Sequence, residues 1–334
     1  MEGDVDTITM AGLTRRTALK GLGGAALAAL AARASLPSAG AQDATPAAGD
    51  YPTVAFTARD YAFIDLPASV PGGLTRLSMA QGGPSDHHAM FMRLNEGVTA
   101  DGFMTALRSG DFGAILGAAT SLGGPNAGAV GTTTSVIVDL TPGQYMVVCL
   151  IPDEETGMPH AAMGMLTPLE VTGAAAASEP PASDAAIDLV DFAFAGLSSG
   201  IAAGKHTWAI TDTGAQLHEL VVYKMAEGVP YSVAESIFLA PPAASPAASP
   251  AASPEGMEEM PGEVASPVAE SSPAAGGPPP FVGVGGIAPM APGVTNYLEL
   301  DLAAGDHFAI CFVPDFATGA PHFALGMIMP FTVA

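Results

Sequence analysis

One stretch of this 334-residue chain occurs twice, and the duplication limits what the chain can fold into. Cys149, Pro152-Asp153, Gly157, Pro159-His160 and Gly164-Met165 recur as Cys311, Pro314-Asp315, Gly319, Pro321-His322 and Gly326-Met327, with the same Cys-x10-His-x4-Met spacing. The match runs outward from there. Asp60-Tyr61-Ala62-Phe63 corresponds to Asp191-Phe192-Ala193-Phe194, and Asn95-Glu96-Gly97-Val98 to Ala226-Glu227-Gly228-Val229. Residues 123–171 align without a gap on 285–333. Two copies are too few to stack as a solenoid, so each is expected to close a core of its own. The expected domains are 53–173 and 186–334, joined by an Ala/Ser/Pro-rich linker at 174–185.

Within each copy the local signals are those of strands. Residues 74–79, 89–94, 135–140 and 144–150 are short, rich in β-branched or other apolar side chains, and bounded by Gly and Pro. Residues 206–211, 220–224, 296–302 and 307–313 repeat them. Pro142-Gly143 and Ala304-Gly305 mark the turn into each cysteine strand. Many short strands and little helix predict an all-β chain of two tandem Greek-key sandwiches. The second copy carries an insertion at 241–280 of Pro-Ala-Ala-Ser repeats and a Glu/Met patch, which reads as a disordered excursion. It stands where the first copy has the Gly/Ala-rich residues 100–122, which show some helical period.

Residues 1–41 read as an address. Arg15-Arg16 precedes a weakly apolar Gly/Ala stretch and then Ala39-Gly40-Ala41, the pattern of a twin-arginine export signal with a small-residue cleavage site. Glu2, Asp4 and Asp6 sit oddly before a basic segment, which makes Met10 an alternative start. Cleavage after Ala41 leaves a two-domain length for a periplasmic or extracellular protein. Thirty-three acidic against ten basic residues give a net charge of −23, which disfavours nucleic acid and anionic membranes and suits a basic redox protein as partner. Outside the signal no apolar run reaches the length of a membrane span, so no stable insertion is expected after cleavage.

The chain has only two cysteines, one in each copy at the same place. A disulfide would require their Cα atoms within about 7 Å, which equivalent core positions of two domains rarely satisfy. In an oxidising compartment two unpaired thiols are explained by metal ligation, or else by inert burial in a strand. Each copy also has a histidine upstream of an apolar segment. His88 stands in Ser85-Asp86-His87-His88, and His218 in Gly214-Ala215-Gln216-Leu217-His218-Glu219. Of the neighbours His87 and His88, His88 is taken as the counterpart of His218. A thiolate, two imidazoles and a thioether are the ligand set of a blue-copper site.

At these residues the chain resembles the cupredoxins, the plastocyanin and azurin group. The tail His-x4-Met with Gly before Met, followed by a short strand, is similar to plastocyanin's ligand loop. The resemblance implies copper held by His88, Cys149, His160 and Met165 in the first copy and by His218, Cys311, His322 and Met327 in the second. The chain departs from the family pattern in one respect. Ten residues separate Cys from the loop histidine, where the familiar members have only a few. The extra Pro-Asp-x-x-Thr-Gly-x-Pro either bulges out and returns, keeping the ligands together, or holds the histidine away.

The function expected from this set is one-electron transfer by an exported type 1 copper protein, not an enzyme. Copper oxidases and nitrite reductases of the resembling kind need a further copper on several histidines, in His-x-His or His-Cys-His arrangements that do not occur here. A metal-free secreted binding module and a copper carrier are the alternatives.

Overall fold

Alternation of apolar and polar side chains bounded by Gly and Pro produces strands along both copies. The computed structural model describes residues 51–176, 178–239 and 279–334. The expected signal at 1–41 and nearly all of the insertion at 241–280 lie outside the described residues. The first copy contains β1 (Thr53–Arg59), β2 (Ala62–Ile64), β3 (Ser69–Gln81), β4 (Met90–Leu94), β5 (Ala119–Ser121), β6 (Pro125–Asn126), β7 (Thr133–Leu140), β8 (Gly143–Val148) and β9 (Leu166–Ala176). The second contains β10 (Ala185–Val190), β11 (Ala193–Ala195), β12 (Gly204–Asp212), β13 (His218–Met225), β14 (Phe281–Met290), β15 (Thr295–Leu302), β16 (Gly305–Ile310) and β17 (Ile328–Val333). Every strand expected from the sequence has a counterpart here, and the chain is all-β with short helical connections. Cys149 and Cys311 each stand one residue past the end of their strand, β8 and β16.

The helical period of 100–122 resolves into α1 (Ala100–Ser109) and α2 (Phe112–Ala118). Thr99 caps α1 by accepting from the Gly102 N–H at 3.1 Å, and Gly110 ends it at φ 69°, a conformation that suits glycine. Asp111 caps α2 by accepting from Ala114. Phe103, Leu107 and Ile115 turn inward to the core. Among its described residues the second copy has one short helix in the corresponding place, α3 (Ser232–Phe238).

Each copy forms two layers. In the first, β1 pairs with β2 and lies parallel to β3, which pairs with β7; the facing layer runs β9-β8-β4-β5. The start of β3 also lies parallel to β9, with a register irregularity between Pro71 and Gly73, so one long strand serves both layers. In the second copy β11-β10-β12-β15 faces β17-β16-β13-β14. Leu77, Met79, Val136 and Val147 of the first copy, with Trp208, Ile210, Leu298 and Ala309 of the second, are almost wholly buried between these layers.

The copies meet edge to edge. β15 pairs antiparallel with β7, through Tyr297↔Ile137, Leu298↔Val136 and Glu299↔Ser135, so one sheet runs across both. In the other layer β6 of the first copy adds to the edge of β14. Both pairings cover strand edges that would otherwise offer unpaired backbone groups. Arg76 grips Glu299 across the seam with two bonds of 2.8 and 3.0 Å, but both side chains are about a quarter exposed to solvent. A pair so exposed is worth at most about 1 kcal/mol. Leu298, on the same seam, has no solvent exposure.

Burial should therefore dominate the seam. Urea unfolding is expected to show Leu298→Ala costing about 2–5 kcal/mol and Glu299→Gln no more than about 1 kcal/mol. The reverse order would mean that the ion pair, and not the apolar contact, joins the sheets.

Candidate metal centre

The ten residues between Cys149 and His160 fold back on themselves. Pro152 and Pro159 bridge antiparallel, the Asp153 N–H donates to Met158 O, and Gly157 N–H returns to Asp153 O at 2.8 Å. The loop therefore leaves and re-enters at one point. There the His160 N–H donates to Ile151 O at 2.9 Å, and Ala161 N–H donates to Cys149 O at 2.7 Å. The imidazole is returned to the thiol, with His160 Nδ1 3.5 Å from Cys149 Sγ. A 3-10 turn over His160–Met163 ends at Gly164, whose φ of 113° reverses the chain. Met165 then bonds back at both backbone groups, its N–H to His160 O and its O to Cys149 N–H, and is fully buried. The loop bulges out and returns, which is the first of the two outcomes its length permits.

The upstream histidine that joins this pair is His87. Its Nδ1 lies 3.1 Å from His160 Nδ1, and the two rings are tilted at 58° with centroids 4.9 Å apart. The donor atoms of His87, Cys149 and His160 all lie within 4.8 Å of one another, the one such group of three among the described residues. His87 Nε2–H donates to Asp60 Oδ1 at 2.7 Å, which places the proton on Nε2 and leaves the Nδ1 lone pair facing the cysteine. Gln81 Nε2 donates to the His87 carbonyl and holds its backbone from the other side.

His88, expected here as the ligand, has a different task. Its Nε2 accepts from the Leu150 N–H at 2.8 Å, so it fixes the residue after the cysteine. In the second copy Glu219 Oε1 does the same for Phe312 N–H at 2.9 Å. His88 thus corresponds to Glu219, and His87 to His218. A signal for this register was present in the sequence. The offset of 131 that carries Asp60 to Asp191 and Val98 to Val229 also carries His87 to His218.

The second copy repeats the loop. Pro314 and Pro321 bridge, and His322 N–H donates to Val313 O at 2.8 Å. Cys311 Sγ is 3.5 Å from His322 Nδ1, and Met327 is fully buried with its carbonyl accepting from Cys311 N–H. His218 lies with its ring centroid 4.8 Å from that of His322. Its nitrogens, however, are differently engaged. Asp212, which replaces Gln81 at this register, is wholly buried and accepts from both His218 N–H and His218 Nδ1–H at 3.1 Å. His218 Nε2 is 3.2 Å from Asp191 Oδ1 without the alignment of a hydrogen bond. The atom that faces the cysteine in the first copy is therefore tied to a carboxylate in the second. Gly214 is required beside it, because a Cβ there would strike His218 Cε1 and Asp191 Oδ1.

Burial sets the protonation of both centres. It lowers the affinity of His87 and His160 for protons; the His87 ring lowers that of His160 further, and Asp60 partly offsets the effect at His87. Both are neutral and available at neutral pH. His322 is pushed down to about 4 by burial and by His218. The Cys149 thiol is pushed up to about 12 by burial, and Cys311 is raised well above its ordinary value, also by burial first. Either thiol is protonated at pH 7 unless a cation takes the place of its proton.

The loop that carries His160 is pinned by Asp153, whose carboxylate accepts from Tyr61 Oη–H at 2.6 Å and from Thr156. These bonds, the tyrosine's first, lower the carboxyl to about 2. A depressed carboxyl stabilises the fold above its unfolded pKa of about 3.9, and that contribution is lost as pH falls through about 2. Tyr61→Phe removes the largest cause, so an NMR titration of the Asp153 side-chain carbon should move its midpoint up towards the ordinary range. An unmoved midpoint would mean that Thr156 alone holds the loop.

No family model matches the chain, and no curated protein matches it. Solved structures similar to it include dithionite-reduced auracyanin from the photosynthetic bacterium Roseiflexus castenholzii, 19% identical over 45% of this chain and 94% of that one, with a TM-score of 0.25. Copper nitrite reductase from Nitrosomonas europaea is 11% identical over 85% of this chain and 94% of that one, with a TM-score of 0.22. The copper-containing nitrite reductase NirK from Thermus scotoductus SA-01 is 13% identical over 85% and 62%, with a TM-score of 0.23. At these scores the likeness describes those proteins, and the chemistry of this chain rests on its own side chains.

Proposed function

We propose that the first copy would hold a type 1 copper ion through His87 Nδ1, Cys149 Sγ and His160 Nδ1, with the Met165 thioether as a weak further ligand, and that the protein passes single electrons. The observation that carries this reading is the convergence of two imidazole nitrogens and one thiol within 4.8 Å. That donor set suits a soft, thiolate-tolerant ion. When bound, such an ion supplies a one-electron couple whose two states accept the same ligands. The chain's contribution is to keep the ligands still. Asp60 holds His87 in one tautomer, the closed loop holds His160 against Cys149, and His88 secures the backbone after the cysteine. Burial excludes water from Cys149, His160 and Met165, which limits reorganisation on transfer. Export and an acidic surface offered to a basic redox partner complete the proposal.

The second copy has the same residue types with His218 Nδ1 committed to Asp212, and we propose that it loads later or not at all. Freeing that nitrogen leaves a buried carboxylate short of a donor, at a cost of about 1–3 kcal/mol or more.

A Cu(II) titration watched by visible absorption and electron paramagnetic resonance tests the assignment. An intense thiolate-to-copper band should saturate at about one equivalent per chain, with release of about one proton at pH 7, because only the thiol is protonated beforehand. Cys149→Ala and His87→Ala should abolish the band, while His88→Gln and Cys311→Ala should keep it. A band lost with Cys311→Ala and kept with Cys149→Ala would refute the assignment.

The Gln81/Asp212 difference has its own test. Asp212→Gln should add a second equivalent, or raise the affinity of the second site about tenfold or more by removing the competing acceptor. Unchanged stoichiometry and affinity would show that Asp212 does not govern loading.

A further inference from the structure

The linker between the copies is fastened at both ends of its described residues, 178–184. Near its start Tyr51 Oη–H donates to the Glu179 carbonyl at 2.7 Å. At its end Asp184, the residue before β10, meets β12. Its N–H donates to Thr207 O at 3.0 Å, and its Oδ1 accepts from Thr207 N–H at 3.0 Å. The other oxygen, Oδ2, faces His206 Nδ1. His206 Nε2 in turn lies 2.7 Å from the carbonyl of Ala202, in the segment 200–203 that leads into β12. That segment holds the last strand, with Gly200 N–H donating to Thr332 O at 2.9 Å and Ala203 N–H to Ala334 O at 2.9 Å. One imidazole thus touches the linker and this segment at once.

The two contacts make a demand on protonation that geometry alone defines. A carboxylate and a carbonyl both accept, and neither donates. A neutral imidazole has one N–H, so it satisfies one of them and sets a lone pair against the other. Only the doubly protonated ring satisfies both. The surroundings favour that form. Burial opposes the cation, but the Ala202 carbonyl and the Asp184 carboxylate, with Asp301 beyond, outweigh it and raise the pKa of His206 above the ordinary value. From β15, Leu300 stands opposite His206 with Glu299 and Asp301 on either side, and Lys205 is the neighbouring cation on β12 itself. Segment 200–203 brings no titratable side chain. The first copy has no such ring, because the offset of 131 carries His206 to Thr75, whose hydroxyl turns back to the Gly73 carbonyl.

We propose that His206 is a pH-responsive clamp, which fastens both the linker's end and segment 200–203 while its ring is doubly protonated, and frees that segment when the ring loses a proton. The proton retained is the one on Nδ1, because a hydrogen bond to a charged acceptor is the stronger. Nε2 then presents a lone pair to the Ala202 carbonyl, and the segment that holds the last strand loses one fastening. A histidine whose folded pKa is raised contributes its stabilisation in full below the ordinary value of about 6.5 and loses it as pH rises through the folded value. The clamp is therefore closed at mildly acidic pH and open at alkaline pH. It goes beyond the copper reading and involves none of its ligands.

NMR of the full chain tests the clamp by two readouts. The His206 ring signals, assigned by their loss in His206→Gln, should titrate with a midpoint above about 6.5, and Asp184→Asn should lower that midpoint. Amide exchange at Gly200 and Ala203, corrected for its intrinsic pH dependence, is the second readout. It should be several-fold slower in the unaltered chain than in His206→Gln at about pH 5.5, and equal in the two at about pH 9. The Asp184 side chain is 46% exposed and that of His206 stands at the surface beside it, so both variants should fold. The copper titration should be the same in all three proteins, so failure of the metal assignment and failure of the clamp are read separately. A midpoint at or below the ordinary value, or one unmoved by Asp184→Asn, overturns the clamp. So does an exchange difference that is absent at the lower pH or persists undiminished at the higher.

Discussion

The backbone bond from His160 N–H to Ile151 O is the constraint on which the rest of the centre depends. Ten intervening residues would otherwise let the imidazole lie far from the thiol. The closed loop reduces that freedom to a single crossing point, and the 3.5 Å approach of Nδ1 to Sγ follows from it. The same bond occurs in the second copy between His322 and Val313. Closing a loop of this length costs little more entropy than closing a short one, because the cost grows only with the logarithm of length. Asp153 and Asp315 then secure the excursion by accepting from Thr156 and Thr318 inside it. The extra residues are thus compatible with a compact ligand set.

Much of the fold could be read from the chain, because strand signals are local. Alternation in 206–211 and the apolar runs before Cys149 and Cys311 need no knowledge of the rest of the molecule. Most of the candidate ligands were legible for a related reason: Cys149, His160 and Met165 lie close in sequence and recur intact. His87 was missed. Two adjacent histidines both stand just before β4, and neighbouring side chains there take different directions, so a one-residue error exchanges the ring beside Cys149 and His160 for one that holds Leu150. Counting the offset from Asp60 or Val98 resolves the choice, whereas proximity to the strand does not. Asp60 itself was visible only as part of a repeated tetrapeptide, since its role depends on a contact 27 residues away.

The joining of the two copies was not legible at all. Edge strands β7 and β15 carry ordinary strand sequences, and nothing local says which partner an edge will choose. The decision belongs to long-range packing, where Leu298 pairs with Val136 across the seam and both are wholly buried. β6 is only two residues long, and its register on β14 depends on Gly286 opposite Asn126.

The two centres match in residue type and differ in what their nitrogens face. Both copies supply His, Cys, His and Met at matching positions, yet one register position separates them. At 81 an amide donates to the His87 carbonyl and leaves the ring alone; at 212 a carboxylate accepts from the His218 ring. The first arrangement delivers an unprotonated Nδ1 towards the thiol. The second ties that nitrogen by its proton and leaves only Nε2, 3.2 Å from Asp191 Oδ1, with a lone pair. An amide in place of Asp212 would remove the carboxylate that accepts this proton. Availability of the lone pair, set by the group behind the ring, is therefore the property on which the two halves of the molecule divide.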